Sequence, residues 1–301
     1  MELWIVITIV AAFMQNVRSS LQKHLKRVMG TTGATFVRFG FGAPVALTLL
    51  AGLALTTGDA VPVPNPRFLI WVSIGAITQI AATFLLVHLF AYRNFAVGTA
   101  YSRTEPAQAA LFALVFFGEQ VRASTLAAIA ISVVGVMLIS VARTTLSARS
   151  LVTSVFSRTA GIGLASGMFF GIAAVAYRAA SLSLGYPNFV MQAAVTLVFT
   201  IMLQSALMLA WMLWRDREEL RRIASAWRLS ALVGLVGALA SFGWFMAMTL
   251  QQAAVVKALA QVEMIFTFAT SAFFFREHIN RLEVLGCGLI VAGILVLVLL
   301  Q

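Results

Sequence analysis

The 301-residue sequence predicts an all-α polytopic membrane protein, with ten transmembrane helices arranged as two inverted five-helix repeats. Three observations carry that expectation. Hydrophobic residues make up 61% of the chain and charged residues 10%, with a mean hydropathy of +0.97. Soluble domains run near ~45–50% and ~25% on the first two measures. The apolar residues come in long continuous runs rather than period-two alternation, which favours helices over an outer-membrane barrel. The second half of the chain also repeats features of the first at a fixed offset.

A hydrocarbon core of ~30 Å needs ~20 apolar residues per helix. That ruler predicts helices over 3–21, 32–55, 68–91, 97–117, 123–142, 160–182, 187–213, 229–249, 254–275 and 282–300. The first starts at Met1-Glu2 without the basic region of a cleaved signal peptide, so it reads as a retained helix. The connections are short and leave no separate soluble domain. A lone cysteine, Cys287, forms no internal disulfide.

The formal net charge of +11 reads as topology rather than as affinity for nucleic acid, which is not expected as a partner. Connections after helices one, three, five, seven and nine hold fourteen of the twenty-one Lys and Arg, from Lys23 and Lys26 to Arg276 and Arg281. The alternate connections hold only Arg67 and Arg122. Basic residues gather in cytoplasmic loops. The odd-numbered loops are therefore expected in the cytoplasm and both termini in the periplasm, in a multi-pass protein of a cell inner membrane.

Residues 96–141 laid over 254–299, an offset of 158, give nine identities in forty-six positions. The matches include Glu105 with Glu263, Phe116-Phe117 with Phe274-Phe275, Glu119 with Glu277, and Gly135 with Gly293. Matched glutamates weigh heavily in a chain with only ten acidic residues. Each copy spans five helices, an odd number, so the second enters the membrane in the opposite sense. The division falls at 1–150 and 151–301. Inverted repeats place a ligand site near the midplane where the halves meet, and rocking of one half against the other gives alternating access.

The run from Pro106 through "FFGEQVRASTLAAIAISVVGVMLIS" resembles the EamA-type repeat of the drug/metabolite transporter superfamily: Pro, an apolar run, Gly-Glu, then a glycine-containing final helix. The stretch "VEMIFTFATSAFFFREHINRLEVLGCGLIVAGILVLV" is similar, with Met264 at the Pro106 position and Arg276 at the Gly118 position. The resemblance covers essentially the whole chain and marks Pro106, Glu119 and Glu277 as repeat signature. It implies a small-molecule transporter, most like bacterial exporters of aromatic amino acids. Other members carry nucleotide sugars or phosphorylated sugars.

Ionisable side chains at membrane depth cost ~2.5–3.5 kcal/mol and are expected to face protein or water. Glu105 lies about nine residues into helix four, ~13 Å at 1.5 Å per residue, and Glu263 is similarly placed in helix nine. Both are candidates for a substrate ammonium or a proton, or else for pairing with Arg103, Arg178 or Lys257. Pro106 removes a backbone hydrogen bond and is expected to kink helix four. Tyr101, Glu105 and Gln108 fall on one helical stripe, with Lys257, Gln261 and Met264 as its counterpart. Gln15, His88, Tyr177 and Trp244 complete the set of candidate pathway residues. Arg103 is either a substrate contact or a snorkelling side chain. Arg18, Arg38 and Arg178 read as helix-end residues. Glu119 and Glu277 read as fasteners at helix ends, beside Arg122 for the first and Arg276 or Arg281 for the second. The glycines Gly163, Gly167 and Gly171 permit close helix approach.

No nucleophile elbow, zinc-protease helix or phosphate-binding loop occurs, so neither an enzyme nor a self-contained ATP-driven pump is expected, and no cofactor or metal. The expected function is a secondary transporter, monomeric and working in the lipid bilayer, that exports amino acids with aromatic and neutral ones favoured. A proton is the candidate coupling ion. Exchange of phosphorylated or nucleotide-linked metabolites and multidrug export are the alternatives, and an intramembrane enzyme is the reading from another class.

Overall fold

The structure, a computed structural model, describes residues 2–89, 92, 95–142, 157–269 and 281–300. Every regular element among them is a helix. Eight are long and apolar enough to cross a membrane unaided. These are α1 (Leu3–Leu25), the pair α2 (Thr31–Gly40) and α3 (Gly42–Thr57), α4 (Pro66–Leu89), α7 (Ala123–Ala142), α8 (Arg158–Ser183), α9 (Phe189–Arg215), α11 (Trp227–Leu250) and α14 (Arg281–Leu299). The other two spans are broken. Span four is α5 (Phe95–Ser102) followed by α6 (Glu105–Phe117), and span nine is α12 (Ala253–Leu259) followed by α13 (Val262–Ala269). A short amphipathic helix, α10 (Arg217–Ser225), lies between spans seven and eight.

The packing obeys the two-fold logic of the repeats. Span one packs along span eight (α1 on α11), and its counterpart span six packs along span three (α8 on α4). Spans five and ten pack against each other through glycines. A Cβ on Gly135 would lie 2.6 Å from the Gly286 carbonyl oxygen, and a Cβ on Gly286 would lie 2.6 Å from that of Gly135. Gly293, the counterpart of Gly135, would likewise meet the Ala128 carbonyl at 2.9 Å. No side chain fits at these three glycines, so there the two backbones approach each other, flanked by Ile139, Ile290 and Ser132, as small-residue membrane interfaces do.

Glu2 and Val298 line one vestibule, so both ends of the described chain lie at the same face, called here the terminal end. Lys23, Lys26, Arg158, Arg215, Arg222, Arg228 and Arg281 stand at or near helix ends on the opposite, basic end. There Glu219 of α10, 2% exposed, accepts the Gly30 backbone N–H at 2.8 Å and Arg222 Nη1 at 2.8 Å. It thus caps the start of α2 from a distant segment, where helix N–H groups lack partners and favour negative charge. Burial against this carboxylate's surroundings lowers the Lys26 ammonium below its usual range, while the Glu219 charge opposes that shift.

Candidate functional site

Span four does not kink at Pro106 as the sequence suggested; it stops and restarts. Ser102 ends α5, Arg103 and Thr104 form a turn, and α6 begins at Glu105 with Pro106 in its first turn. Proline suits that position, because its missing N–H has no intrahelical acceptor there. In span nine Ala260 and Gln261 form the turn and Glu263 falls in the first turn of α13. Each carboxylate therefore sits at a helix N-terminus inside the membrane, the position an anion favours. The glycine stripe of α8 makes room for the broken span: a Cβ on Gly167 would lie 2.8 Å from the Ser102 carbonyl, and one on Gly171 3.1 Å from the Ala109 nitrogen.

The two repeats then exchange charges. Arg103 of the first repeat holds Glu263 of the second, Nη1 to Oε2 at 2.9 Å and Nη2 to Oε1 at 3.3 Å. Lys257 of the second holds Glu105 of the first at 2.8 Å, as an ion pair rather than an aligned hydrogen bond. Gln15 Nε2 donates to Glu263 Oε2 at 2.9 Å, and its Oε1 accepts Trp244 Nε1 at 3.0 Å. The Lys257 ammonium lies 4.9 Å from the centre of the Trp244 ring, a cation–π contact. These groups border a central cavity of about 60 Å³. Tyr177 lines it too, its hydroxyl donating to Gln79 Oε1 at 3.0 Å while Gln204 Nε2 reaches the same oxygen at 2.8 Å.

Several candidates lie elsewhere. Tyr101 is 6% exposed and packs with Ala160, Met137 and Leu164, away from the cavity. Gln108 donates to Thr104 Oγ1 at 2.9 Å and is not among the lining residues. The break at Arg103–Thr104 resets the helical phase between Tyr101 and Glu105, and Gln108, in the same helix as Glu105, turns back to Thr104 instead. Gln261 is buried within the second break, donating to the Arg103 carbonyl at 3.0 Å. His88 faces Tyr92 at 3.3 Å and stacks on Phe84 near the end of α4, also outside the cavity. Glu119 bonds Arg178 Nε at 3.4 Å, not Arg122. Gly118 closes α6 in the left-handed conformation at φ 64°, with Glu119 N–H reaching back to the Ala113 carbonyl and Gly118 N–H to Leu114. This αL cap, with its Gly118 N–H to Leu114 carbonyl bond, explains why Gly precedes the glutamate. Glu277, with Arg276, lies outside the described residues.

Arg178 also donates through Nη1 to the carbonyls of Met248 and Gln251, both at 2.7 Å. Met248 lines the central cavity and Gln251 the terminal-end vestibule of about 610 Å³, so the clamped segment separates the two spaces.

Arg18 and Arg38 correct the sequence reading most. They are not interfacial snorkelers: at 5% and 3% exposure they are buried, and both line the cavity. Helix α1 runs on to Leu25, which leaves Arg18 two turns inside it. Arg38 donates to two hydroxyls, Thr83 and Ser241, each at 3.3 Å, and its guanidinium lies 5.2 Å from the centre of the Phe39 ring. Among the described residues no group of three or more His, Cys, Asp or Glu is placed to hold a metal.

Opposed repeats, paired broken helices and a charged cavity between them define a membrane transporter of small molecules. The chain belongs to the EamA-like transporter family, whose profile matches residues 2–141 and 158–299, one match per repeat. Among solved structures 28 chains match. One crystal structure, 17% identical, aligns with a TM-score of 0.71 over 99% of this chain and 96% of its own, a likeness of fold. No curated protein matches.

Proposed function

We propose that the protein is a secondary transporter that exports amino acids, aromatic and neutral ones favoured, by alternating access around the central cavity. One observation carries this reading. The two spans that break at membrane depth exchange Arg103–Glu263 and Lys257–Glu105 across the boundary between the repeats. Ion pairs placed on a moving boundary form and part as the halves rock. They also supply both signs of charge to a zwitterion. The central cavity is narrow in this arrangement, about 60 Å³. Loading an amino acid therefore requires the halves to separate, as alternating access demands.

Counterflow in proteoliposomes tests the proposal. Radiolabelled phenylalanine, leucine, a sugar, a sugar phosphate and a cationic drug are offered in turn to vesicles preloaded with the unlabelled compound. Accumulation of the amino acids alone is expected; accumulation of only the sugar phosphate or the drug overturns it. A proton is the proposed coupling ion, with Glu105 and Glu263 as its carriers. Uptake that depends on pH in the wild type and loses that dependence in Glu105→Gln or Glu263→Gln is the expected result, and unchanged flux in both variants leaves a facilitator. We place the basic end in the cytoplasm of a cell with an inner membrane. A cysteine added after Gln301 is then labelled by impermeant reagent in intact cells, and labelling only after lysis reverses the orientation.

A further inference from the structure

The cavity holds more positive charge than its carboxylates use. Four cations line it, Arg18, Arg38, Arg103 and Lys257, against two carboxylates, Glu105 and Glu263. Each carboxylate already has its partner, Lys257 for Glu105 and Arg103 for Glu263. Arg18 and Arg38 are left over. Buried Arg18 Nε, Arg18 Nη1 and Arg38 Nε make no hydrogen bond. The charges acting on Arg18 are Glu263 and Arg103, and the one acting on Arg38 includes Arg18 itself. The two side chains converge on the same glycine of α11: a Cβ on Gly237 would lie 3.3 Å from Arg38 Cγ and 3.4 Å from Arg18 Cδ. Two guanidinium groups brought together in a desolvated space, with free N–H donors and no carboxylate of their own, lack an anion. Guanidinium donors match the oxygens of a carboxylate in geometry and charge.

We propose that Arg18 and Arg38 form the carboxylate subsite of the transporter, and that a free carboxylate, not a free amine, is the group the protein requires of its cargo. The inference rests on the transport reading above and deepens it. An amine finds Glu105 and Glu263 already paired and has to displace a cation to bind. A carboxylate meets two cations with unused N–H donors and no carboxylate bonded to either. An amino acid is then held chiefly by its acid end, with the side chain toward Trp244, Phe245 and Tyr177.

Two single-function analogues of phenylalanine separate the alternatives. In phenylalanine counterflow, 3-phenylpropionate, which keeps only the carboxylate, competes, whereas phenethylamine, which keeps only the amine, does not. Arg18→Gln and Arg38→Gln each weaken 3-phenylpropionate by roughly 10–100-fold, the range for a lost hydrogen bond to a charged group. Gly237→Ala retains both charges yet crowds both stems, and weakens it several-fold. Competition by phenethylamine alone, or undiminished 3-phenylpropionate binding in the double Arg18→Gln/Arg38→Gln variant, overturns the subsite.

Thermal unfolding of the detergent-solubilised full chain keeps this distinct from the amino-acid reading. If no amino acid is moved but 3-phenylpropionate raises the wild-type midpoint and not that of Arg38→Gln, the subsite stands and the export proposal falls. If 3-phenylpropionate leaves the wild-type midpoint unmoved, the subsite falls whatever is transported. The ligand-free Arg38→Gln midpoint is expected at or above that of the wild type, because an unneutralised buried charge is removed; a purely structural arginine lowers it.

Discussion

Gln261 donates its side-chain amide to the main-chain carbonyl of Arg103 across 3.0 Å, and these two residues occupy the same position in the two repeats. Their contact marks where the pseudo-two-fold axis crosses the protein, at the paired helix breaks. A helix break frees carbonyls that lipid cannot satisfy. Gln261→Ala removes this donor, and the expected cost is ~1–3 kcal/mol. At roughly 2–4 °C per kcal/mol for a chain of this size, the unfolding midpoint in detergent drops by several degrees. An unchanged midpoint means that another donor serves the Arg103 carbonyl.

Glu263 accepts from Arg103 and Gln15 together and is 4% exposed, so losing either partner of the pair leaves the other, a buried carboxylate or a half-buried guanidinium, uncompensated. Glu263→Gln is expected to destabilise by ~3–5 kcal/mol and to abolish transport. Arg103→Gln alone does the same. The double variant Arg103→Gln/Glu263→Gln is less damaged in stability than the sum of the two, and a double-mutant cycle on unfolding free energy reads the coupling. Additive effects mean that the pair is not a unit.

The Arg178 clamp holds Met248, which lines the cavity, and Gln251, which lines the vestibule, and is expected to close the way between them. Arg178→Ala frees both carbonyls and releases Glu119. A cysteine at Met248 is then modified by a small impermeant thiol reagent from the terminal end faster by roughly tenfold or more, tenfold being ~1.4 kcal/mol of lost closure. Glu119→Gln, which leaves the two carbonyl bonds in place, gives a smaller increase. Equal rates in the wild type and Arg178→Ala rule out the clamp as a barrier.

Gly135→Val drives a branched side chain into a backbone-to-backbone seam whose nearest atom, the Gly286 carbonyl, would lie 2.6 Å from the new Cβ. Backbone cannot yield as a flexible side chain does, so overpacking of ~1–3 kcal/mol or more is expected. Folded yield and midpoint both fall. Gly288, with nothing within 4 Å of its Cβ position, is the control: Gly288→Val changes neither.

The spans were legible because their length and apolarity are forced by the bilayer, and the offset of 158 made the repeat visible through Glu105 and Glu263. The breaks were not. Pro106 announces one, but its counterpart Met264 carries no backbone signal, and the second break shows only in the fold. The break in span four, at Arg103–Thr104, misplaced Tyr101, whose stripe with Glu105 assumed one uninterrupted helix. Arg18 reads as a helix-end residue because its helix runs about one turn past the expected end, to Leu25. Arg38 lies near where its helix was expected to begin, and only its partners Thr83 and Ser241, brought from distant segments, show that it faces the cavity. Gln15 was read as a pathway residue, yet its role as a bridge between Glu263 and Trp244 depends on partners more than two hundred residues away.

The exchanged ion pairs are not copies of one another. The first repeat places its cation within the break itself, at Arg103, where the second has Gln261. The second places its cation at Lys257, where the first has Thr99. A transporter whose halves matched fully would rest equally facing either side of the membrane. This one carries a forked, bidentate pair on one side of the axis and a flexible point-charge pair on the other, and the two part at unequal cost. Under the proposed alternating access, the charges then set the resting orientation: an inequality of only ~1.4 kcal/mol makes one facing tenfold more populated than the other before any cargo arrives.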